Sequence, residues 1–157
     1  MADDAPQVGI LTGSASDLPV INQAGAILER FEIPHEINVM SAHRNPEAVD
    51  EYAKRAEERG LKVLICGAGR AAHLAGAVAA RTILPVIGIP VSADQLGGAD
   101  SLYSTVQMPK GVPVATVAID GAVNAAILAV QILALSDPSV RARLREFKES
   151  LAEGFKV

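Results

Sequence analysis

Val8-Gly9-Ile10-Leu11-Thr12-Gly13-Ser14-Ala15-Ser16-Asp17 decides how this chain is read. Val8–Thr12 is an apolar run of strand length that passes straight into a small polar turn containing Gly13. A helical pattern follows at once: Leu18, Val20, Ile21, Ala24, Ile27, Leu28 and Phe31 recur on one face. Pro19 suits the first helical turn, where a missing N–H leaves no bond unmade. Strand, tight turn and helix start together aim free backbone N–H groups and the positive end of a helix dipole at an anion. Ser14 and Ser16 can add hydroxyl donors. A plainer reading of the same turn makes Ser16 or Asp17 an N-cap. No Gly-Lys-Ser/Thr follows, and Gly13 stands alone where a dinucleotide fingerprint needs three spaced glycines. The turn therefore suits a single phosphate and not a pyrophosphate.

Outward from this stretch, strand and helix patterns alternate. His35–Met40 alternates polar and apolar, which predicts a half-buried or edge strand. It ends in Ser41-Ala42-His43-Arg44, and Asn45-Pro46 then starts a helix that Gly60 closes. Lys62–Cys66 is nearly all apolar, as expected of a strand buried on both faces. Gly67-Ala68-Gly69-Arg70 reads as the turn after it, and Ala71–Ala80 as a helix of tiny residues with His73 in its first turn. Leu84–Val91 and Val114–Ile119 read as the fourth and fifth strands, with a polar loop over 92–98 and a short helix over 100–107 between them. The helix over 121–135 is apolar nearly all round, and the one after Pro138 carries the stripe Val140, Leu144, Phe147 and Leu151. Five strands alternating with helices indicate an α/β domain with a parallel sheet. Ligands in such sheets sit outside the C-terminal strand ends, where strand order reverses.

Composition narrows the function classes. A chain of 157 residues fits one domain with a sizeable core. A net charge of −4 argues against non-specific nucleic-acid binding, which needs a basic face. Cys66 is the single cysteine, so no intramolecular disulfide framework or cysteine metal cluster is expected. The acidic start Met1-Ala2-Asp3-Asp4 is unlike a signal peptide, and no apolar run is long enough to span a bilayer. A cytoplasmic location and no membrane partner are expected.

The candidate chemistry lies on the strand-end loops. His43 can accept and donate a proton near neutral pH, and Arg44 beside it is a natural clamp for phosphate or carboxylate. His73, at a helix start, is suited to a neutral, hydrogen-bonding role, since that end of a helix disfavours an imidazolium. His35 reads as structural. Three histidines on three elements, with none at i+4, do not predict a metal site. No Gly-x-Ser-x-Gly elbow is present, so a hydrolase triad is weakly supported. Cys66, ending a buried strand, is expected to be inert.

Taken together, several segments resemble one family. They are Gly13–Asp17, Ser41–Arg44, Gly67–Gly69 with Ala71-Ala72-His73-Leu74, Asp100–Ser104 through Val106–Pro109, and Gly111–Ile119. In order and spacing they are similar to the N5-carboxyaminoimidazole ribonucleotide mutases of purine biosynthesis, a likeness running from Val8 to Leu135. The resemblance implies a flavodoxin-like three-layer α/β sandwich with a five-stranded parallel sheet, forming a single domain over residues 1–157. It also implies a homo-octamer with active sites between subunits, in which the last helix, over 138–153, packs. The implied reaction moves a carboxylate from the exocyclic nitrogen to C4 of the imidazole ring, with no ATP, biotin, metal or other cofactor. By matching position, His43 is the implied proton carrier. Ser14, Ser16, Asp17, Ser41, Ala42, Arg44, Gly69, His73 and Leu74 are the implied substrate-binding residues.

Two positions depart from that pattern. Mutases of this type usually carry glycine where this chain has Arg70, and proline where it has Ala75. Arginine there resembles instead the sister enzymes that carboxylate aminoimidazole ribonucleotide directly with CO2, while the retained Ala71-Ala72-His73-Leu74 resembles the mutases. Arg70 either holds a carboxylate or is a solvated substitution. A rival of another class, a flavodoxin-like flavin or electron-transfer module, would be expected to stack aromatic rings on its cofactor. The chain has no Trp and two Tyr.

Overall fold

The computed structural model of the chain describes residues 5–157. The Met1–Asp4 stretch, read above for targeting, lies outside the described residues. Five strands form one parallel sheet: β1 (Val8–Thr12), β2 (His35–Val39), β3 (Val63–Gly69), β4 (Val86–Val91) and β5 (Ala115–Thr116). Their spatial order is β2-β1-β3-β4-β5, the flavodoxin-like order. Six helices cover it: α1 (Leu18–Arg30), α2 (Pro46–Arg55), α3 (Leu74–Ala79), α4 (Ala99–Val106), α5 (Ala122–Leu133) and α6 (Pro138–Ala152). Among the described residues no helix is long and apolar enough to cross a membrane.

The period-two geometry of a strand divides the core. Val8, Ile10, Val63, Ile65, Ile87 and Ile89 pack on one face with α1, α5 and α6. Leu11, Leu64, Cys66 and Val86 pack on the other with α2 and α3. β1 and β4 are buried along their whole length, as expected for strands covered on both faces. β2 is half-buried at the sheet edge. There Tyr52 Oη donates to Glu36 Oε1 at 2.7 Å and Arg59 Nη2 to Glu36 Oε2 at 2.6 Å, tying β2 to α2. Burial opposes ionisation of Glu36, but these hydrogen bonds outweigh it and hold its pKa below the usual carboxylate range.

Several boundaries differ from the sequence reading. β3 runs on through Gly67-Ala68-Gly69, which had read as a turn. Its neighbours supply the pairing, Thr12↔Gly67 on one side and Ala68↔Pro90 and Gly69↔Val91 on the other. Gly67 has no room for a side chain in that strand, because a Cβ there would collide with Ile21 Cδ1 of α1. α3 is shorter than the expected 71–80, because the turn from Arg70 to His73 has its own bonds: Ser104 Oγ accepts the Ala72 N–H at 2.9 Å and Ala71 O accepts the His73 N–H at 2.9 Å. The fourth strand begins at Val86, two residues after the expected start.

β5 is far shorter than the expected 114–119. Val117 N–H reaches Gly88 O at 3.1 Å, but the next rung to β4 comes from Asp120 N–H, which reaches Pro90 O at 2.8 Å. That is one residue out of step, as in a bulge. A strand residue points its N–H and C=O at the same neighbour, so the donor that Pro90 lacks is one β5 would have used.

α5 is apolar nearly all round and α6 carries an apolar stripe, and the chain itself covers much of both. Within the chain, Ala125, Ala126, Ala129 and Val130 of α5 and Val140 and Phe147 of α6 are buried in the same core as α1. Phe147 meets Phe31 edge-on, with ring centroids 5.3 Å apart. The need for a partner does not follow from these two helices. Asp137 starts α6 by accepting from the N–H groups of Ser139 and Val140.

Gly88 shows how tightly the other layer closes. A Cβ there would overlap Thr105 Cγ2 of α4 and lie 2.8 Å from Val114 Cγ1. Gly88→Ala is expected to lower unfolding stability by about 1–3 kcal/mol through overpacking. Denaturant unfolding measures this as a lower midpoint at unchanged m-value.

Candidate active site

β1 and β3 lie side by side at the sheet centre, and the chain leaves β1 toward β2 on one side. This is where strand order reverses, and the loops at the C-terminal ends diverge to leave a crevice. A cavity of about 540 Å³ opens there. It is lined from four loops, and Ser14, Ser16, Asp17, Ser41, Ala42, His43, Arg44, Gly69, His73 and Leu74 all face it.

The first loop folds through a 3-10 turn over Ala15–Asp17. Ser14 Oγ accepts the Ser16 N–H at 3.3 Å and shares a hydrogen bond with Ser16 Oγ at 2.8 Å. Ser14, and not Ser16 or Asp17, therefore caps this turn. Asp17 precedes α1, but its side chain makes no capping bond, which leaves the carboxylate for the cavity. Burial pushes its pKa up, and the charge of Asp120 adds to the rise, while hydrogen bonds from Ser16 and Thr12 act against it.

The second loop is shaped by Ser41, whose Oγ accepts the N–H groups of His43 at 3.3 Å and Arg44 at 3.2 Å. Asn45 then caps α2 by accepting from Ala48 N–H, with Pro46 as first helical residue. These bonds set the orientation of His43 and Arg44 from their own backbone.

His43 Nε2 lies 2.7 Å from His73 Nδ1, with the rings edge-to-face at 84°. One nitrogen must carry the proton and the other a lone pair, so at least one of the two imidazoles is neutral. His73 occupies the N-cap position of α3 without a side-chain capping bond, just before the first turn and not within it as the sequence suggested. Leu74, only 2% exposed, forms apolar floor. Arg44 and Arg70 both reach the cavity, and neither belongs to an ion pair among the described residues.

Other features place the remaining residues away from this chemistry. His35 Nδ1 faces the Ile33 carbonyl at 3.1 Å, a structural position. Cys66 is buried, and burial pushes its thiol pKa up. No Tyr or Phe lines the cavity, so apart from two imidazoles it offers no ring for stacking a flavin. Among the described residues no three His, Cys, Asp or Glu side chains gather as metal ligands.

The fourth loop brings Ser92, Ala93 and Asp94 to the cavity, none of which had been singled out from sequence. Asp120, left-handed at φ 57°, holds this loop by accepting Ser92 N–H at 2.9 Å and Ser92 Oγ–H at 2.6 Å. The signal was Asp120-Gly121, a turn pair at the fifth strand end on the same sheet edge.

Comparison with known proteins gives this cavity its context. The family model described as AIR carboxylase matches residues 7–154. The N5-carboxyaminoimidazole ribonucleotide mutase of Pyrococcus horikoshii is 55% identical over 151 residues, covering 96% of this chain and 85% of that protein. The protein of the same name from Thermotoga maritima is 58% identical over 146 residues, covering 93% and 85%. The crystal structure of Treponema denticola PurE superposes with a TM-score of 0.87 at 34% identity, covering 94% of this chain and 92% of that one. By the reach of the family model and the identity to these relatives, the chain belongs to the AIR carboxylase family.

Proposed function

We propose that the chain is an N5-carboxyaminoimidazole ribonucleotide mutase, carrying the carboxylate from the exocyclic nitrogen to C4 of the ring. The observation that carries this reading is the 55–58% identity, over nearly the whole chain, to proteins bearing that name. The cavity fits the substrate in kind. Arg44 and the Ser14–Ser16 turn suit a phosphate. Asp17, an anion, suits the ribose hydroxyls.

His43 acts as acid and then as base. As an imidazolium it protonates the carbamate nitrogen, the N–C bond breaks, and CO2 leaves with the bond electrons returned to nitrogen. The ring carbon C4 attacks that CO2, and neutral His43 removes the C4 proton. One proton leaves and returns, so no further reagent is required. Released CO2 has to stay put. Ala68 and Ala71 line the cavity and leave room for it, while Ala72 is buried behind them. The hydrogen bond between His43 and His73 keeps the imidazole of His43 aimed while its charge changes.

Assembly into a homo-octamer belongs to the same proposal. Ile83 and Leu135 expose 84% and 78% of their surface, which gives apolar contact area outside the core. Light scattering is expected to give a mass about eight times the 16.3 kDa of the chain.

His43→Asn is expected to lower kcat by about 100-fold or more while nucleotide binding changes little. Turnover kinetics beside calorimetric binding test this, and substantial residual turnover removes His43 from the proton role. Purified enzyme is expected to convert the N-carboxylated nucleotide without bicarbonate. Efficient turnover of aminoimidazole ribonucleotide plus bicarbonate would mark a CO2-using carboxylase instead.

Asp17 gives a stability test. Its pKa is raised in the folded chain, so the folded state holds a proton that the unfolded state releases. Its contribution therefore turns unfavourable as pH rises through the carboxylate range. Asp17→Asn is expected to be more stable than the parent at pH 7, with the difference vanishing in acid. Thermal melts across pH read this directly.

A further inference from the structure

We propose that Arg70 is a specificity-determining residue whose guanidinium takes the carboxylate of the carboxylated nucleotide, leaving Arg44 and the serine turn to the phosphate. The assignment rests on the mutase reading above.

The backbone makes Arg70 unusual. It has φ 54°, one of three residues other than glycine in the left-handed region among those described. A side chain with a Cβ is disfavoured there, and such strain persists only where surrounding bonds hold it. Here they do. Ser104 Oγ of α4 accepts the Ala72 N–H at 2.9 Å and lies 3.3 Å from the Arg70 carbonyl oxygen. The turn is thus fixed from α4, and the Arg70 side chain reaches the cavity wall. Of the other two left-handed residues, Glu32 follows the end of α1 and Asp120 is held through Ser92. Neither presents a cation to the cavity.

Charge matching supplies the ligand. The nucleotide carries two anionic groups, the phosphate and the carboxylate. The cavity carries two arginines from different loops, neither in an ion pair among the described residues. Arg44 stands beside Ser41 and His43. Arg70 stands between Gly69 and Ala71, three residues before His73, on the loop whose small residues leave room for CO2. A guanidinium binds a carboxylate bidentately and neutral CO2 weakly. Arg70 therefore grips substrate and product more than the uncarboxylated nucleotide. Its removal acts on KM more than on kcat.

Binding is measured by calorimetry in a His43→Asn background, which stops turnover, with 4-carboxy-5-aminoimidazole ribonucleotide and with 5-aminoimidazole ribonucleotide. Arg70→Gly and Arg70→Met are expected to weaken the carboxylated ligand about 10- to 100-fold, while the uncarboxylated one changes less than about twofold. Arg70→Lys is expected to recover part of the difference. With His43 present, the same variants are expected to raise KM without a fall in kcat. The melting temperature of Arg70→Gly is expected to be no lower than that of the parent, since glycine adopts this backbone freely. Equal losses for both ligands, or no loss for either, overturn the assignment and leave the mutase reading standing. A parent protein that binds neither nucleotide overturns that reading, and this assignment with it.

Discussion

The parallel pairing of β1 with β3 is the constraint on which the site depends. Leu11↔Cys66 and Thr12↔Gly67 set the end of β1 against β3, which runs two residues further, and Met40 N–H bonds to Thr12 O at 2.9 Å from the other side. Three loops are thereby launched side by side at one edge of the sheet. Because the chain departs from β1 and β3 in opposite directions, no connection crosses the gap between them. The serine turn, His43 and His73 meet across that gap, and a slip of one register position would send their loops to different heights. The small residues in the ladder serve this alignment: Gly67 lets Ile21 of α1 lie on the sheet, and Gly88 lets Thr105 of α4 do so on the other face.

Around this frame the chain accepts local conformations that a purely structural domain would avoid. Asp17 is a half-buried carboxyl without a capping role. Arg70 and Asp120 sit in left-handed backbone at the same sheet edge. Two imidazoles share one proton at 2.7 Å. Such departures from local preference collect where ligands bind, and the remaining fold is stable enough to hold them. The apolar layers on both faces of the sheet supply that stability.

Much of this was legible in the residues. Strand and helix alternation gave the architecture because most strands are short apolar runs and most helices carry an apolar stripe. The site was legible because polar residues fell at strand ends, as with Ser41–Arg44 after β2. What misled were residues whose meaning depends on neighbours distant in sequence. Gly67 and Gly69 read as turn formers but belong to β3, where Ile21 leaves no room for a side chain at Gly67. Val114–Ile119 read as a full strand, yet its ladder partner is a proline that cannot donate. Ser92 gave no local sign of its place, because Asp120, distant in sequence, fixes it.

That proline has an effect beyond the cavity. With Pro90 withholding a donor, β5 keeps only two residues in register. The opposite border, β2, presents Glu36 already engaged by Tyr52 and Arg59. The β5 border, two residues long, lacks the long, flat run of free amides that strand-to-strand addition needs. At that border a sheet continued from one molecule into the next would find too few rungs to build on.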